Sequence, residues 1–465
     1  MGAVRRLVLD GCTVATMDPH RTEHAVGHMV VEGSRIAAVG PGRWVDDGSG
    51  AEVHDATGCL LTPGLVNTHH HLYQWATRGL AVDSTLFGWL TELYPVWGGI
   101  DEDVVGAAAA AGLGWLARTG CTTSMDHHYV FPTHGGDVLG AEIEAARRIG
   151  LRFLATRGSM DLGRSKGGLP PDHVVEDLDT ILTATGAAID THHDPSPDSM
   201  LRIGVAPCSP FSVTADLLRE SAALARDRGV RLHTHLAETT DEEQYCAERF
   251  GLSPLAYLES LGWLGGDVWL AHGIHFDDAA IGVLGATRTG VAHCPSSNAR
   301  LGAGIARTRD LRDAGVPVGL GVDGAASNEA SSLVEEARHA LLFARARGGP
   351  EALGVRDALE LATIGGARVL GWDDQIGSLE VGKQADVALW RLDGLGHAGV
   401  VDPVAALVLG SQPPLELLLV GGRPVVERDR LATADEESLA AQAVSAGERL
   451  LDRHRERAGY ISATP

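Results

Sequence analysis

Basic charge is scarce in this chain of 465 residues: 38 lysines and arginines face 61 aspartates and glutamates, a formal net charge of −23. Binding to phosphates requires basic patches, so nucleic acid and anionic membrane surfaces are excluded as partners. Lysine is almost missing, with only Lys166 and Lys383. Cysteine is thin as well. Cys12, Cys59, Cys121, Cys208, Cys246 and Cys294 are scattered without a Cys-x-x-Cys pair, which speaks against a disulfide framework and for reduced thiols in a cytoplasm. No basic-then-apolar leader opens the chain, and no apolar run is long enough to cross a bilayer. A cytoplasmic location and no membrane partner are therefore expected.

Histidine, in contrast, is placed with a pattern. The apolar run Cys59-Leu60-Leu61, continued by Leu65-Val66, reads as one buried strand and ends in Thr68-His69-His70-His71. Residues i and i+2 of a strand share a face, so His69 and His71 could grip one metal ion. A solvated turn or a displaced purification tag would give a similar run, but a tag sits at a terminus and lacks the preceding apolar strand. Three further apolar runs end the same way. Arg231 to Glu238 carries His235 and then Glu238, Val268 to His275 carries His272, and Val316 to Gly324 carries Asp323. A lone His272 would more often be a core histidine, and a lone Asp323 before glycine a turn residue. Recurrence at the same end of successive strands overturns both readings.

Helical spacing fills the intervals: Asp103 to Arg118, Val138 to Ile149, Val174 to Thr185, Ala215 to Arg228, Asp277 to Leu284, Thr308 to Ala314, Leu333 to Ala344 and Val355 to Val369. Strand candidates Thr122–His128, Arg152–Arg157, Arg202–Pro207 and Gly290–Pro295 complete eight alternations. The fold class is α/β, a (β/α)8 TIM barrel over residues 61–370, whose active site gathers at the strands' C-terminal ends. Residues 1–60 and 371–465 carry short β-type runs and are expected to form a small β-sandwich domain from both termini. An amphipathic helix is expected from Glu436 to Arg457.

The segments Pro63-Gly64-Leu65-Val66-Asn67-Thr68-His69-His70-His71, His235-Leu236-Ala237-Glu238, Leu270-Ala271-His272, His293-Cys294-Pro295-Ser296-Ser297-Asn298 and Gly321-Val322-Asp323-Gly324 resemble the amidohydrolase superfamily. The similarity runs almost the whole chain and falls in its cytosine/guanine/adenosylhomocysteine deaminase branch. Arg157-Gly158-Ser159-Met160, Ser165 to Pro170 and Ala206 to Ser212 resemble bacterial 8-oxoguanine deaminases and, less closely, triazine hydrolases. Binuclear members of the superfamily bridge two ions with a carboxylated lysine on strand four. Arg202 to Cys208 has none, so a single divalent ion is expected, zinc by its imidazole and carboxylate donors, with iron(II) compatible. His69, His71, His235 and Asp323 are the expected ligands. Such an ion lowers the pKa of a bound water to about 7. Asp323 would take that water's proton, Glu238 would donate to a ring nitrogen, and the resemblance implies that His272 orients the attacking water. The expected reaction is hydrolytic deamination of a small heterocycle, 8-oxoguanine or guanine.

Gln74, Trp89, Arg157 and Cys208 are candidate substrate contacts, with Trp75, Tyr94, Trp97 and Lys166 nearby in sequence and His293, Ser296 and Asn298 as braces. The polynucleotide-acting zinc deaminases use a Pro-Cys-x-x-Cys ligand pair, which is absent, so the base is expected as a free small molecule. Two alternatives remain: a triazine hydrolase, against which the retained Glu238 weighs, and a non-catalytic barrel, against which the full ligand set weighs. A homo-oligomer is expected from the resemblance alone.

Overall fold

The computed structural model of the protein describes residues 6–462. Eight parallel strands close into a barrel: Leu65–Asn67, Cys121–His128, Arg152–Ser159, Leu201–Pro207, Leu232–Leu236, Val268–His272, Gly290–His293 and Val318–Leu320. They are numbered one to eight below. Strand eight closes the ring by pairing Leu320 with Asn67. These runs are almost wholly buried because parallel strands are covered on both faces, which is why they read as continuous apolar runs.

The helices between them start at side-chain caps. Asp101 accepts from Val104 N, Asp137 from Gly140 N and Thr214 from Leu217 N, satisfying amide groups that have no partner within the helix. Leu86–Trp97 is a helix the sequence expectation lacked, and two of the expected helices depart furthest from it. The helix expected from Val174 begins at Leu178, because Asp177 caps it through Thr180 N. Val355 to Val369 is not one regular helix but Val355–Glu360, a wide turn at Leu361–Gly365, and Gly366–Leu370. The Gly365-Gly366 pair lets this segment lie against the barrel, since a Cβ on either would come within 2.5 Å of the Val318 carbonyl or 2.7 Å of the Val66 carbonyl.

Both chain ends join one nine-stranded sheet. Its order is Arg430–Leu431, Arg423–Glu427, Leu415–Val420, Val387–Arg391, Cys59–Pro63, Arg6–Ala15, Glu23–Glu32 and Arg35–Pro41, with Glu52–Asp55 also paired to Arg6–Ala15. A separate core of Leu9, Val14, Met29, Leu61, Leu389 and Leu419 lies under it. The expected single strand from Cys59 to Val66 is in fact two. Cys59–Pro63 pairs with Val387–Arg391 in the sheet, and the chain turns at Gly64, where a Cβ would meet the Thr122 side chain at 2.2 Å, to start the barrel at Leu65. A buried ion pair, Arg152 Nε to Asp386 at 3.0 Å, ties strand three to this sheet. The C-terminal helix spans Glu436–Ser462.

Candidate metal and substrate site

The mouth of the barrel is built where strands five, six and eight release the chain. Ala237 (φ 54), His272 (φ 73) and Asp323 (φ 60) all take left-handed backbone conformations there. Each costs an L-residue roughly 1–2 kcal/mol, a strain that concentrates at functional sites. Around Ala237 the turn is clasped by Glu242, whose carboxylate accepts from Ala237 N at 3.0 Å and Glu238 N at 3.3 Å.

Within this mouth the four expected ligands meet. His71 Nε2 lies 3.1 Å from His235 Nε2 and 3.3 Å from Asp323 Oδ1, and His69 Nε2 lies 3.4 Å from that same oxygen. Ligands placed about 2.0–2.2 Å from a tetrahedral ion are separated by about 3.3–3.6 Å. The far side of each ring fixes what the near side presents. His71 Nδ1 donates to the His127 carbonyl at 2.7 Å, and His235 Nδ1 to the Cys208 carbonyl at 2.6 Å. His233 Nδ1 donates to the Trp269 carbonyl at 2.9 Å, so its Nε2 accepts from His69 Nδ1 at 2.8 Å. All three Nε2 atoms therefore turn lone pairs inward. Burial holds the His235 imidazole down at about 3 and that of His71 at about 4, so both are neutral donors. Lone pairs and a carboxylate oxygen gathered this closely require a cation among them. The donor set fits a divalent metal ion.

Asp323 is braced from behind: its Oδ2 accepts from Ser297 Oγ at 2.6 Å and Ser327 Oγ at 3.1 Å. Of these supports, the sequence argument missed His127, His233, Ser297, Ser327 and Glu242. His127 is the most visible of them in retrospect, since it ends a strand as the other imidazoles do. Its Nε2 donates to the Ala206 carbonyl at 2.8 Å, its ring stacks on His235 with centroids 4.7 Å apart, and its Nδ1 has no partner.

Glu238 and His272 face each other beside this cluster, His272 Nε2 lying 3.5 Å from Glu238 Oε2. The other ring nitrogen of His272 meets Asn298 Oδ1 at 2.9 Å, as expected of a brace. Burial pushes the Glu238 carboxyl up to about 7, the neighbouring His272 pulling against it and Asp323 adding to it. An acid near neutrality at such a place is equipped to exchange protons.

A narrow cavity opens over these residues, walled by Gln74, Trp89, Tyr94, Tyr129, Cys208 and Phe211. The Gln74 amide is fully buried, and neither its oxygen nor its nitrogen has a protein partner. It is pressed against Gly324, where a Cβ would come 1.7 Å from Gln74 Oε1. Trp89 commits its indole N–H to the Ala326 carbonyl at 3.1 Å and so presents only ring surface. Burial raises the Cys208 thiol to about 12, keeping it neutral.

Arg157 is a correction. Its guanidinium donates to the Gly158 carbonyl and, at 2.8 Å, to Glu176, and lies 3.7 Å over the Phe131 ring. With its donors engaged it does not line the cavity. Lys166 sits on an exposed turn, Trp97 is in the core, and Trp75 packs under Arg78 outside the cavity. Ser296 turns to His339 at 2.7 Å and does not brace the site.

The sequence pattern of the amidohydrolase family matches residues 60–425. The chain belongs to the amidohydrolase family. This amidohydrolase is 47% identical over 401 residues to the 8-oxoguanine deaminase of Pseudomonas aeruginosa, covering 86% of this chain and 89% of that one. Over 404 residues it is 38% identical to the hydroxydechloroatrazine ethylaminohydrolase of Pseudomonas sp. (strain ADP), with 85% and 83% covered. The crystal structure of the atrazine chlorohydrolase of Arthrobacter aurescens complexed with zinc superposes with a TM-score of 0.90 at 34% identity, over 95% of this chain and all of that one. The chain is thus a metal-dependent hydrolase acting on carbon–nitrogen bonds. No described helix is long and apolar enough to cross a membrane.

Proposed function

We propose that this amidohydrolase deaminates a free purine-like aminoheterocycle, 8-oxoguanine in first place and guanine in second, with one zinc ion held by His69, His71, His235 and Asp323. The observation that carries the reading is the pairing of a buried acid near neutrality, Glu238, with an unpartnered amide, Gln74, on the wall of one cavity. The zinc ion, when bound, makes a water molecule nucleophilic near neutral pH. Asp323 takes the proton from that water while Ser297 and Ser327 steady its other oxygen. His272, anchored through Nδ1 to Asn298, presents Nε2 to the water and orients it. Protonated Glu238 donates to the ring nitrogen beside the carbon under attack, which makes that carbon more electrophilic. The proton held by Asp323 then goes to the exocyclic amine, the carbon–nitrogen bond breaks, and the proton of the added hydroxyl passes to Glu238, which restores both acids. The ring leaves as a lactam, with ammonia.

Trp89 and Phe211 supply apolar surface for a planar ring, and Gln74 can both accept from and donate to its edge. Leu86, Leu90 and Leu301 add apolar wall that suits a flat free base. One observation favours a triazine instead: with Arg157 engaged by Glu176, no guanidinium meets a carbonyl-rich ring. The higher identity to an 8-oxoguanine deaminase, 47% against 38% and 34% for the triazine-acting relatives, tips the balance to the deaminase. Ammonia release from 8-oxoguanine, guanine and hydroxyatrazine by the zinc-loaded protein decides: turnover of a purine supports the reading, and turnover of hydroxyatrazine alone overturns it. A homo-oligomer in the cytoplasm belongs to the same proposal by family resemblance, and light scattering of the purified protein tests the assembly.

A further inference from the structure

The short turn Leu72–Thr77 carries two site residues, His71 at its N-terminal cap and Gln74 within it, yet it has no side-chain cap of its own. The Leu72 N–H finds its acceptor elsewhere. Asp126 Oδ1, from strand two, takes it at 2.6 Å. Asp126 is fully buried and stands outside the cavity wall.

Behind Asp126 the support continues through side chains that are all completely buried. Its Oδ2 and the Oε2 of Glu142, which reaches in from the helix Val138–Ile149, are both buried without a hydrogen-bond partner, and the two carboxyls come within 4.8 Å of each other. Glu142 Oε1 lies 2.7 Å from His128 Nδ1, and His128 Nε2 donates to the Val130 carbonyl at 2.8 Å. Two carboxyls buried this close together need a proton between them or a cation. One end of this chain of contacts holds the residue after His71, and the other holds the residue after Tyr129, which lines the cavity. It spans two walls of the site without touching either its contents or the expected ligands.

We propose that Asp126 is a positioning residue for substrate: by capping Leu72 it sets the turn that aims Gln74 at the ring, and Glu142, itself anchored on His128 Nδ1, holds it there through a proton shared between the two carboxyls. The inference rests on the deaminase reading only for the choice of substrate. Leaving a buried N–H without an acceptor loosens the segment that depends on it, while the three imidazoles keep their own far-side partners. Loss of Asp126 therefore weakens ring binding more than it slows chemistry.

The test compares Asp126→Leu, Asp126→Asn and Glu142→Leu in the zinc-loaded full chain, reading KM and kcat on whichever of the three heterocycles the parent turns over, metal per chain, and amide exchange across 70–77. Asp126→Leu is expected to raise KM about tenfold with kcat within about threefold, and to speed exchange in that segment about tenfold, one ion per chain being kept. Asp126→Asn, whose oxygen can still accept and whose amide can donate to Glu142, should rescue all of these to within about threefold of the parent. Should Asp126→Leu fail to fold, Glu142→Leu must still raise KM and exchange in the same direction. Parent-like KM and exchange in the leucine variants overturns the proposal, as does equal failure of Asn and Leu. A second ion in the parent that Glu142→Leu loses overturns the shared proton. If the parent turns over none of the heterocycles, the deaminase reading fails by itself, and exchange and metal content still decide the role of Asp126.

Discussion

Replacing Glu238 with glutamine removes a transferable proton and little else. The two side chains have the same shape, and the amide can still donate a hydrogen bond toward a ring nitrogen, but it cannot deliver a proton. Glu238 sits 3.5 Å from His272 and is not among the buried groups that gather around the expected ion. Metal content should therefore be unchanged. A positioned general acid contributes about 10²–10⁴-fold, or about 3–5 kcal/mol of barrier, so kcat/KM should drop by that factor. The pH profile gives an independent check. A carboxyl raised to about 7 is protonated below that pH and loses its proton above it, so parent activity should fall as pH rises through neutrality. In Glu238→Gln that descending limb should vanish. Steady-state kinetics from pH 5 to 9 with metal analysis of the same samples would show this. A variant keeping more than about a tenth of parental kcat/KM, or one that loses its ion, refutes the proton-donor role.

Other expectations follow from the same geometry. His235→Ala removes one of three converging imidazoles and should lose both bound metal and turnover, read by elemental analysis and ammonia release. Gly324→Ala places a methyl 1.7 Å from Gln74 Oε1, so the amide must move; KM should rise about tenfold with the metal retained. In metal-free protein, thermal stability should peak near pH 6.5. His70, His235 and His293 are held at about 3 and His71 and His128 at about 4, so their contribution is lost as pH falls from their unfolded value of about 6.5. Glu242 and Glu336 are raised to about 8, so theirs is lost as pH rises from about 4.5 through 8, and above 6.5 nothing from the imidazoles offsets it. Calorimetry of chelated protein showing a monotonic rise to pH 9 would contradict this.

The clustering of the proposed ligands was legible because each closes an apolar run at a strand end, and one barrel rule turns four such endings into one place. Helices with a strong start signal, such as Ala215–Arg228, were legible to the residue. What stayed hidden depends on partners far away in sequence. Arg157 stands at a strand end as a substrate donor would, and only the fold reveals Glu176 waiting for it. The break at Gly64 is invisible inside an apolar run, because both halves are buried for different reasons. Nothing in the letters marks Ala237, His272 and Asp323 as left-handed, since a non-glycine residue at positive φ is held there by packing. His127 and His233 look like the ligands beside them. Only the fold shows which ring nitrogen meets which carbonyl: His233 spends both of its nitrogens on Trp269 and His69, whereas His127 keeps Nδ1 unpartnered beside the proposed ligands.

Anomalous diffraction at the zinc edge from crystals of the zinc-loaded protein tests the central claim most directly. One peak within about 2.0–2.2 Å of His69 Nε2, His71 Nε2, His235 Nε2 and an Asp323 oxygen is predicted. Absence of density among those four atoms, or an ion held by other residues with the three imidazoles turned apart, would contradict it.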